Sequence, residues 1–304
     1  MVGNMGNIFE KVWGTAKEFL GAKAPKAEEK EAAANGEYRG FTKKKHNIIP
    51  ENNLFSISSS EIERKTHEND ITPTGIKEFD QLIKDGGLEQ GSSILISGGT
   101  GTGKTTFILQ SMHNCSKERS LKCIYISFEE DPKKIKGHMK KNYGWDFEAL
   151  EKSGTFAIVK VDPLDVARDV EQIFLEKHGE LKIRLEKIRL PFLPDIIALD
   201  SLSALSIAFT EEENYRKYIT ELFQSLVHMN CISYVISETE QDPRIYSRTG
   251  VEEFLADGVI VLYNLKKQGK RENEIEVLKL RSSSHHKGRV PYRITTKGIL
   301  IGQG

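Results

Sequence analysis

Residues 93–106 read Ser-Ile-Leu-Ile-Ser-Gly-Gly-Thr-Gly-Thr-Gly-Lys-Thr-Thr. The second half of this stretch matches the pattern G-x-x-x-x-G-K-[ST] in full, with Gly98, Gly103, Lys104 and Thr105 at the defined positions. The first half, Ser93–Ser97, is apolar and predicts a buried strand that runs directly into the loop. The pattern is that of a phosphate-binding loop, so we expect the chain to bind a nucleoside triphosphate.

The residue types in this loop suit a triphosphate, which is a dense anion. Glycines let successive backbone N–H groups converge on phosphate oxygens, and a helix beginning near Lys104 adds the positive end of its dipole. Lys104 is expected to reach the β- and γ-phosphates, and the Thr105 hydroxyl to bind Mg²⁺. A plain glycine-rich turn rarely carries Lys-Thr at this offset. The predicted nucleotide contacts are Gly98, Gly99, Thr100, Gly101, Thr102, Gly103, Lys104, Thr105 and Thr106.

Composition narrows the class of protein. The 304 residues suffice for one large or two modest domains. Lys plus Arg and Asp plus Glu both number 44, and this balance argues against charge-driven binding to nucleic acid. The three cysteines lack C-x-x-C spacing, so we expect a reducing compartment, without disulfides or a zinc site. Apolar runs are too short to span a bilayer and no secretory signal is visible, so a cytoplasmic location is expected.

The chain divides near residue 68. Residues 1–68 show little apolar periodicity and predict a largely disordered N-terminal extension. Near residues 8–20, however, apolar side chains fall on one face of a short amphipathic helix. This helix is suited to docking on a protein partner or a lipid surface, and packing on its own core is the alternative. Residues 69–304 are expected to form the globular domain.

The globular domain predicts an α/β fold. Between the first five strands lie helical patterns at 105–116, 132–142, 164–178 and 214–229. This alternation implies a mainly parallel sheet with helices on both faces, and the last three strands suggest an antiparallel extension. The candidate strands are 93–97, 123–127, 156–161, 196–200, 232–237, 258–263, 275–280 and 292–294.

Two other strands are followed by acidic residues at their carboxyl ends. Parallel sheets bind their ligands at this end of the strands. Asp200 ends an apolar strand as a Walker B carboxylate does and is expected to hold Mg²⁺ with Thr105. Glu129 and Glu130 follow another strand, and hydrolysis needs a carboxylate there to polarise water, with Glu130 also a candidate metal ligand. The alternatives are a helix-capping Asp200 and solvated glutamates that lead into the helix after Pro132.

These pieces closely resemble the RecA-like ATPase module of the KaiC family, over about residues 70 to 304. One such module is present, whereas KaiC itself carries two, so the chain is similar to single-module KaiC-like proteins of the type common in archaea. The segments that carry the resemblance are Thr74-Gly75-Ile76 with Phe79-Asp80, the phosphate loop, Ser127–Glu130, Gly250–Val259, Leu278–Arg281 with His285, and Ile294-Thr295 with Gly298-Ile299.

The resemblance implies a ring, expected to be a hexamer, that binds ATP between neighbouring subunits. Lys279, Arg281 and His285 match the family pattern K-x-R-x-x-x-H, which contacts nucleotide held by the adjacent subunit, and Lys287 extends this contact. A cation supplied in trans, above all Arg281, would neutralise charge on the transferring γ-phosphoryl group. Strand alternation by itself predicts only that Lys279 and Arg281 share the outer face of an edge strand.

The chain departs from the family pattern at two places. Thr296 stands where the family often has an acid near the ribose, which puts that contact in doubt. Glu252 and Glu253 occupy the position at which KaiC's second module carries a pair of hydroxyl residues. Carboxylates do not accept phosphate stably, so self-phosphorylation is not expected at this position.

The sequence thus predicts a ring-forming ATPase that acts as a regulatory switch, with a partner bound through the N-terminal extension. One alternative is a DNA-dependent ATPase of the RecA type, which needs mobile basic loops for single-stranded DNA. The candidate loops are 206–215, which is acidic, and 241–249, which contains Arg244 and Arg248. Another alternative is a scaffold that is stabilised by nucleotide and whose hydrolysis is vestigial.

Overall fold

The computed structural model describes residues 55–57, 70–176, 188–239, 246–247, 249–267 and 269–302. Most of the predicted extension, including the helix expected near residues 8–20, lies outside the described residues. Of the predicted extension, Phe55–Ile57 are described. They form a strand that pairs in parallel with Ile188–Leu190, and Phe55 is only 1% exposed. This short strand therefore belongs to the packed domain.

The described residues form thirteen strands and eight helices. Among these residues, no helix is both long enough and apolar enough to cross a bilayer. The strands are β1 (Phe55–Ile57), β2 (Ile71–Thr72), β3 (Leu88–Glu89), β4 (Ser93–Gly98), β5 (Cys123–Ser127), β6 (Phe156–Lys160), β7 (Ile188–Leu190), β8 (Ile196–Asp200), β9 (Ile232–Glu238), β10 (Gly258–Lys267), β11 (Lys270–Leu280), β12 (Val290–Thr295) and β13 (Gly298–Ile301). The helices are α1 (Lys77–Asp80), α2 (Lys104–Arg119), α3 (Pro132–Tyr143), α4 (Phe147–Lys152), α5 (Pro163–Glu176), α6 (Leu202–Ala208), α7 (Glu212–His228) and α8 (Glu252–Leu255).

A nine-stranded sheet organises the domain, in the order β13-β12-β11-β10-β4-β9-β8-β5-β6. The six strands from β10 to β6 are parallel, and β11, β12 and β13 continue the sheet in antiparallel fashion. This confirms the predicted mainly parallel sheet with an antiparallel C-terminal extension. The extension begins one strand later than predicted, because β10 pairs in parallel with β4. The carboxyl ends of β4, β9, β8 and β5 lie side by side at one end of the parallel strands, which is where such sheets bind their ligands.

Side-chain alternation along the strands builds a separate core on each face of the sheet. Ile94 and Ile96 of β4 join the cluster beneath α2, α3 and α4, whereas Leu95 joins the cluster beneath α5, α6 and α7. Every residue of β4 is buried, as expected for a central strand that is covered on both faces. Packing on both faces of the sheet therefore fixes the position of β4 and of the phosphate-binding loop that follows it.

The predicted bounds were close for the parallel strands and poorer elsewhere. The hairpin of β10 and β11 extends further than predicted, because its outer residues are polar and exposed and lack an apolar pattern. The short strand β13 was not predicted. The predicted loop 206–215 was wrong, since α6 continues to Ala208 and α7 begins at Glu212.

The C-terminal hairpin of β12 and β13 is fastened to α2, the helix that follows the phosphate loop. The buried Gln110 side chain donates from Nε2 to the Ile299 carbonyl oxygen at 3.2 Å and accepts from the Ile299 N–H at 2.6 Å. Tyr292 donates its hydroxyl to the Thr102 carbonyl oxygen. These bonds hold the end of the chain against the site.

Substitution Gln110→Ala should destabilise the domain by about 2 kcal/mol, because it leaves a buried N–H and a buried carbonyl of Ile299 without partners. Urea unfolding at equilibrium measures the loss. The matched control is Gln224→Ala on an exposed position of α7, which should change stability by less than about 0.5 kcal/mol. Equal losses for the two variants would contradict this role of Gln110.

Candidate functional site

Glycine is required by the shape of the loop between β4 and α2. Gly98, Gly101 and Gly103 have φ of 151°, 78° and 87°, which L side chains rarely adopt. A Cβ atom on Gly98 would also lie 2.3 Å from the carbonyl oxygen of Leu262 on the neighbouring strand β10. The loop therefore curls tightly against β10 and leads into the N-terminus of α2, as a phosphate cradle must.

Lys104 places a cation at the centre of this loop. Its buried ammonium group donates to the carbonyl oxygens of Gly98 at 2.9 Å and Gly99 at 3.0 Å, and it pairs with Glu238 Oε1 at 3.3 Å. Burial lowers the pKa of Lys104, and the charge of Glu238 works against this shift. The loop thus holds a cation whose compensation comes from groups that a phosphate can replace.

Thr105 and Asp200 are brought together as the sequence predicted. Thr105 Oγ1 donates to Asp200 Oδ2 at 2.9 Å, and the Tyr125 hydroxyl donates to the same oxygen. Burial raises the pKa of Asp200, while these two hydrogen bonds act in the opposite direction. A carboxylate therefore lies against the first turn of α2, beside the phosphate cradle.

The two candidate glutamates differ in their surroundings. The Ser201 hydroxyl donates to Glu129 Oε1 at 2.7 Å, which ties this carboxylate to the residue next to Asp200. The backbone of Glu130 forms a turn with the Ser127 side chain. Within the described part of the chain, the exposed Glu130 carboxylate has neither a hydrogen bond nor an ion pair. Of the two, Glu129 is the one that the fold directs into the site.

The donor set at Asp200 fits Mg²⁺ that is shared with a triphosphate. No group of three or more His, Cys, Asp or Glu side chains capable of holding a metal occurs among the described residues. Mg²⁺ in nucleotide sites, however, takes one or two protein oxygens and completes its shell with phosphates and water. Thr105 and Asp200 supply this number of ligands, whereas no contact joins Glu130 to either of them.

Several residues of the site carry no motif and were missed. Glu238 ends strand β9 and had the same signal as Asp200, a carboxylate at a strand tip, so it was accessible to the same reasoning. Tyr125 lies within β5, and its contact with Asp200 depends on the pairing of β5 with β8. Ser203 of α6 accepts the Glu238 N–H at 2.8 Å, and nothing in its sequence context indicates this contact.

The C-terminal hairpin borders the other side of the loop. A Cβ atom on Gly103 would lie 2.8 Å from the end of the Ile294 side chain. Thr106 Oγ1 lies 3.4 Å from the Tyr143 hydroxyl, and Tyr143 stacks on Trp145 with ring centroids 4.5 Å apart. Thr296, the departure from the family pattern, is an exposed turn residue between β12 and β13. Aromatic and apolar groups thus surround the loop on the side away from Asp200.

Lys279 and Arg281 lie far from the loop of their own chain. Lys279 of β11 and Leu95 of β4 lie at the same level of the sheet, with β10 between them. The phosphate loop begins at Gly98, about 10 Å further along β4. Lys279 Nζ donates to the carbonyl oxygens of Glu253 and Ala256, and Arg281 donates to Asp257 Oδ1 and the Phe254 carbonyl. Desolvation, followed by the charge of Arg281, lowers the pKa of Lys279.

His285 and Lys287 belong to the loop after β11. His285 forms a β-bridge with Ile83, and the Lys287 ammonium lies 3.1 Å from His285 Nε2. At the position of the KaiC hydroxyl pair, Glu252 is fully buried and accepts from the Tyr215 hydroxyl at 2.9 Å and from Thr249 Oγ1 at 2.8 Å. Glu253 accepts from the Ser247 hydroxyl.

Comparison with known proteins agrees with this site. The chain is 32% identical over 231 residues to the circadian clock oscillator protein KaiC of Parathermosynechococcus lividus, which covers 75% of the chain and 41% of that protein. It is 32% identical over 241 residues to the circadian clock protein KaiC3 of Synechocystis sp., which covers 79% of the chain and 47% of that protein. The chain therefore spans less than half the length of these curated relatives.

A solved structure and a family model also match this chain. A crystal structure of a KaiC-like protein from the hyperthermophilic archaeon Pyrococcus horikoshii OT3 superimposes with a TM-score of 0.63 at 29% identity, covering 77% of the chain and 99% of that protein. The match confirms the RecA-like α/β fold and the resemblance to a single-module KaiC-like protein. The family model described as "ATPase: KaiC" matches residues 72–304. The chain belongs to the KaiC family of ATPases.

Proposed function

We propose that this protein binds ATP with Mg²⁺ and hydrolyses it at a site that a second copy of the chain completes. The observation that carries the proposal is the convergence of three groups at one sheet edge. Lys104 lies in the phosphate loop, Thr105 contacts Asp200, and Glu129 is held by Ser201 beside Asp200. Together they supply a cation, a metal site and a carboxylate for water, which are the parts that phosphoryl transfer requires.

ATP binding uses groups that are already in place. The N–H groups of the loop and of the first turn of α2 would bind the phosphates, and Lys104 would exchange its two carbonyl partners for phosphate oxygens. Bound Mg²⁺ would neutralise charge on the β- and γ-phosphates, held by Thr105 and Asp200. Tyr143, Ile294 and the neighbouring hairpin offer an apolar border on the side away from Asp200.

Hydrolysis requires a base for the attacking water. Glu129 is the better candidate, because the Ser201 hydroxyl fixes its carboxylate next to Asp200, whereas no described residue holds the Glu130 carboxylate in this way. A carboxylate oriented in this way accepts the proton of a water molecule that attacks the γ-phosphorus in line with the leaving oxygen. Ser201 is a positioning residue in this scheme.

The second copy would supply the remaining cations. Lys279 and Arg281 lie toward the other end of the parallel strands from their own loop, so they cannot serve it, and we propose that they serve the loop of a neighbour. His285 and Lys287 follow them in the next loop and extend the same edge. A repeated head-to-tail contact of this kind closes into a ring, which we propose is a hexamer as in the family.

We further propose that turnover serves a nucleotide-dependent regulatory switch, with a partner bound through the N-terminal extension. Self-phosphorylation at residues 252–253 is not part of this proposal. Glu252 is buried and engaged by Tyr215 and Thr249, and a carboxylate does not form a stable phosphate ester. The Glu252–Tyr215 contact links α8 to α7 and has a structural role.

Substitution Lys104→Ala should weaken ATP binding about 10- to 100-fold, since a hydrogen bond to a charged group contributes about 1.5–3 kcal/mol. Titration with a fluorescent ATP analogue measures the dissociation constant. The control is Lys134→Ala, an exposed lysine of α3, which should bind as the unaltered protein does. Unchanged affinity in Lys104→Ala would remove the phosphate loop from the proposal.

Substitution Glu129→Gln should lower kcat by about 10²- to 10⁴-fold, because the amide keeps a hydrogen bond but cannot act as the base. The dissociation constant for ATP should change little. Glu130→Gln is the matched control and should retain most of the turnover. Steady-state phosphate release measures both variants, and the reverse ranking would assign the base to Glu130.

Substitution Arg281→Ala should leave ATP binding largely intact and lower kcat about 10³-fold or more, the range for a cation supplied in trans. Mixing this variant with Glu129→Gln should restore part of the activity, because an interface between the two variants pairs an intact Glu129 with an intact Arg281. Phosphate release by the mixture is the measurement. A mixture no more active than its components would show that Arg281 does not act across an interface.

A further inference from the structure

A buried tyrosine hydroxyl lies against the proposed metal site. Tyr125 is in the middle of β5 and is fully buried in the apolar cluster beneath α2. A phenylalanine ring would fill nearly the same space, so packing does not account for the hydroxyl. Burying a hydroxyl costs free energy unless it forms a hydrogen bond, and this one donates to Asp200 Oδ2. The group that distinguishes Tyr125 from an apolar core residue is thus used on Asp200.

The two carboxylate oxygens of Asp200 have different surroundings. Oδ2 accepts from Thr105 Oγ1 at 2.9 Å and from the Tyr125 hydroxyl. Within the described part of the chain, Oδ1 accepts no hydrogen bond, and Asp200 is partly exposed at the tip of β8. A threonine hydroxyl can donate its proton to a carboxylate while its oxygen binds a metal ion. One oxygen of Asp200 is therefore held by the protein, and the other is open to a ligand.

The contact crosses from β5 to β8, and a second hydroxyl crosses in the other direction. Tyr125 of β5 donates to Asp200 at the tip of β8. Ser201, which follows β8, donates to Glu129, which follows β5. The backbone supports the crossing, because the Phe128 N–H donates to the Asp200 carbonyl oxygen at 2.8 Å. Each of the two carboxylates is thus oriented by a hydroxyl that comes from the neighbouring strand.

We propose that Tyr125 is a positioning residue that orients the Asp200 carboxylate for Mg²⁺. This inference rests on the proposed function and deepens it, because it names a group that sets the affinity of the same site for the metal ion. By donating to Oδ2, the Tyr125 hydroxyl restricts rotation of the carboxylate and leaves Oδ1 for the metal ion or one of its water molecules. Groups that hydrogen-bond to a metal ligand in this way change metal affinity by about 10- to 100-fold.

The alternative is that the bond serves only to satisfy a buried hydroxyl, and a second tyrosine separates the two roles. Tyr234 of β9 is also fully buried in the cluster beneath α2, and its hydroxyl lies 3.1 Å from that of Ser111. Removing either tyrosine hydroxyl takes away one buried hydrogen bond. Removing that of Tyr125 also frees a proposed metal ligand, whereas removing that of Tyr234 affects a neutral serine.

The test uses the full chain and measures the dissociation constant of a fluorescent ATP analogue in EDTA and in Mg²⁺. The ratio of the two constants reports how much the metal ion contributes to nucleotide binding. Tyr125→Phe should lower this ratio about 10-fold or more and leave the constant in EDTA unchanged, because the phosphate loop keeps all its groups. The matched control Tyr234→Phe should keep the ratio. An unchanged ratio in Tyr125→Phe would overturn the proposal.

A second variant tests the hydrogen bond itself. Tyr125→p-aminophenylalanine keeps the ring and places a donor N–H where the hydroxyl was. It should restore most of the ratio that Tyr125→Phe loses, whereas a role in packing alone would give the two variants the same ratio. Equal ratios in these two variants would overturn the positioning role.

Turnover distinguishes this inference from the proposed function. In Tyr125→Phe, the Mg²⁺ concentration for half-maximal phosphate release should rise about 10-fold or more, while kcat at saturating Mg²⁺ returns close to that of the unaltered protein. A lowered kcat with an unchanged half-saturating concentration would overturn the positioning role. A ratio that falls in Tyr125→Phe, in a protein without any turnover, would support the role of Tyr125 and reject hydrolysis.

Discussion

The structure depends on keeping a cation inside a buried loop. Lys104 loses most of its contact with water, which lowers its pKa, and only carbonyl oxygens and carboxylates brought close by the fold compensate it. Those groups come from the ends of several parallel strands, so the order β4-β9-β8-β5 and the two cores that clamp the sheet are what make the site possible. A ligand rich in negative charge would replace this compensation, and we propose that ATP binds for this reason.

The same end of the sheet bears on our proposal that a second copy of the chain completes the site. It carries a cation, two candidate ligands for one metal ion and a carboxylate. A groove beside it is lined by the acidic Glu129 and Glu238 and by the apolar Leu164 and Ile207. Toward the other end of the parallel strands, Lys279 and Arg281 donate to backbone carbonyl oxygens of the segment that contains the exposed Phe254. In the account proposed here, hydrolysis follows from assembly because the transferring phosphoryl group needs charge from both copies.

Much of the fold and of the candidate site could be predicted from the sequence, for identifiable reasons. The loop from Gly98 to Thr105 has a fixed spacing because a phosphate fixes it, and buried strands ending in Asp200 and Glu129 follow from apolar runs that stop at a carboxylate. The contacts between strands were not accessible. Tyr125 meets Asp200, and Glu238 meets Lys104, only because of strand order, which no local pattern contains. The ordered strand at Phe55 was missed for the same reason, since its partner lies more than a hundred residues away.

The central claim is that the hydrolytic site is shared between two copies of the chain. The most direct test is the turnover per subunit as the protein is diluted at saturating MgATP, with the assembly mass measured at the same concentrations. The account predicts that turnover per subunit falls in parallel with the loss of assembled protein. Constant turnover per subunit through complete dissociation to monomers would contradict it.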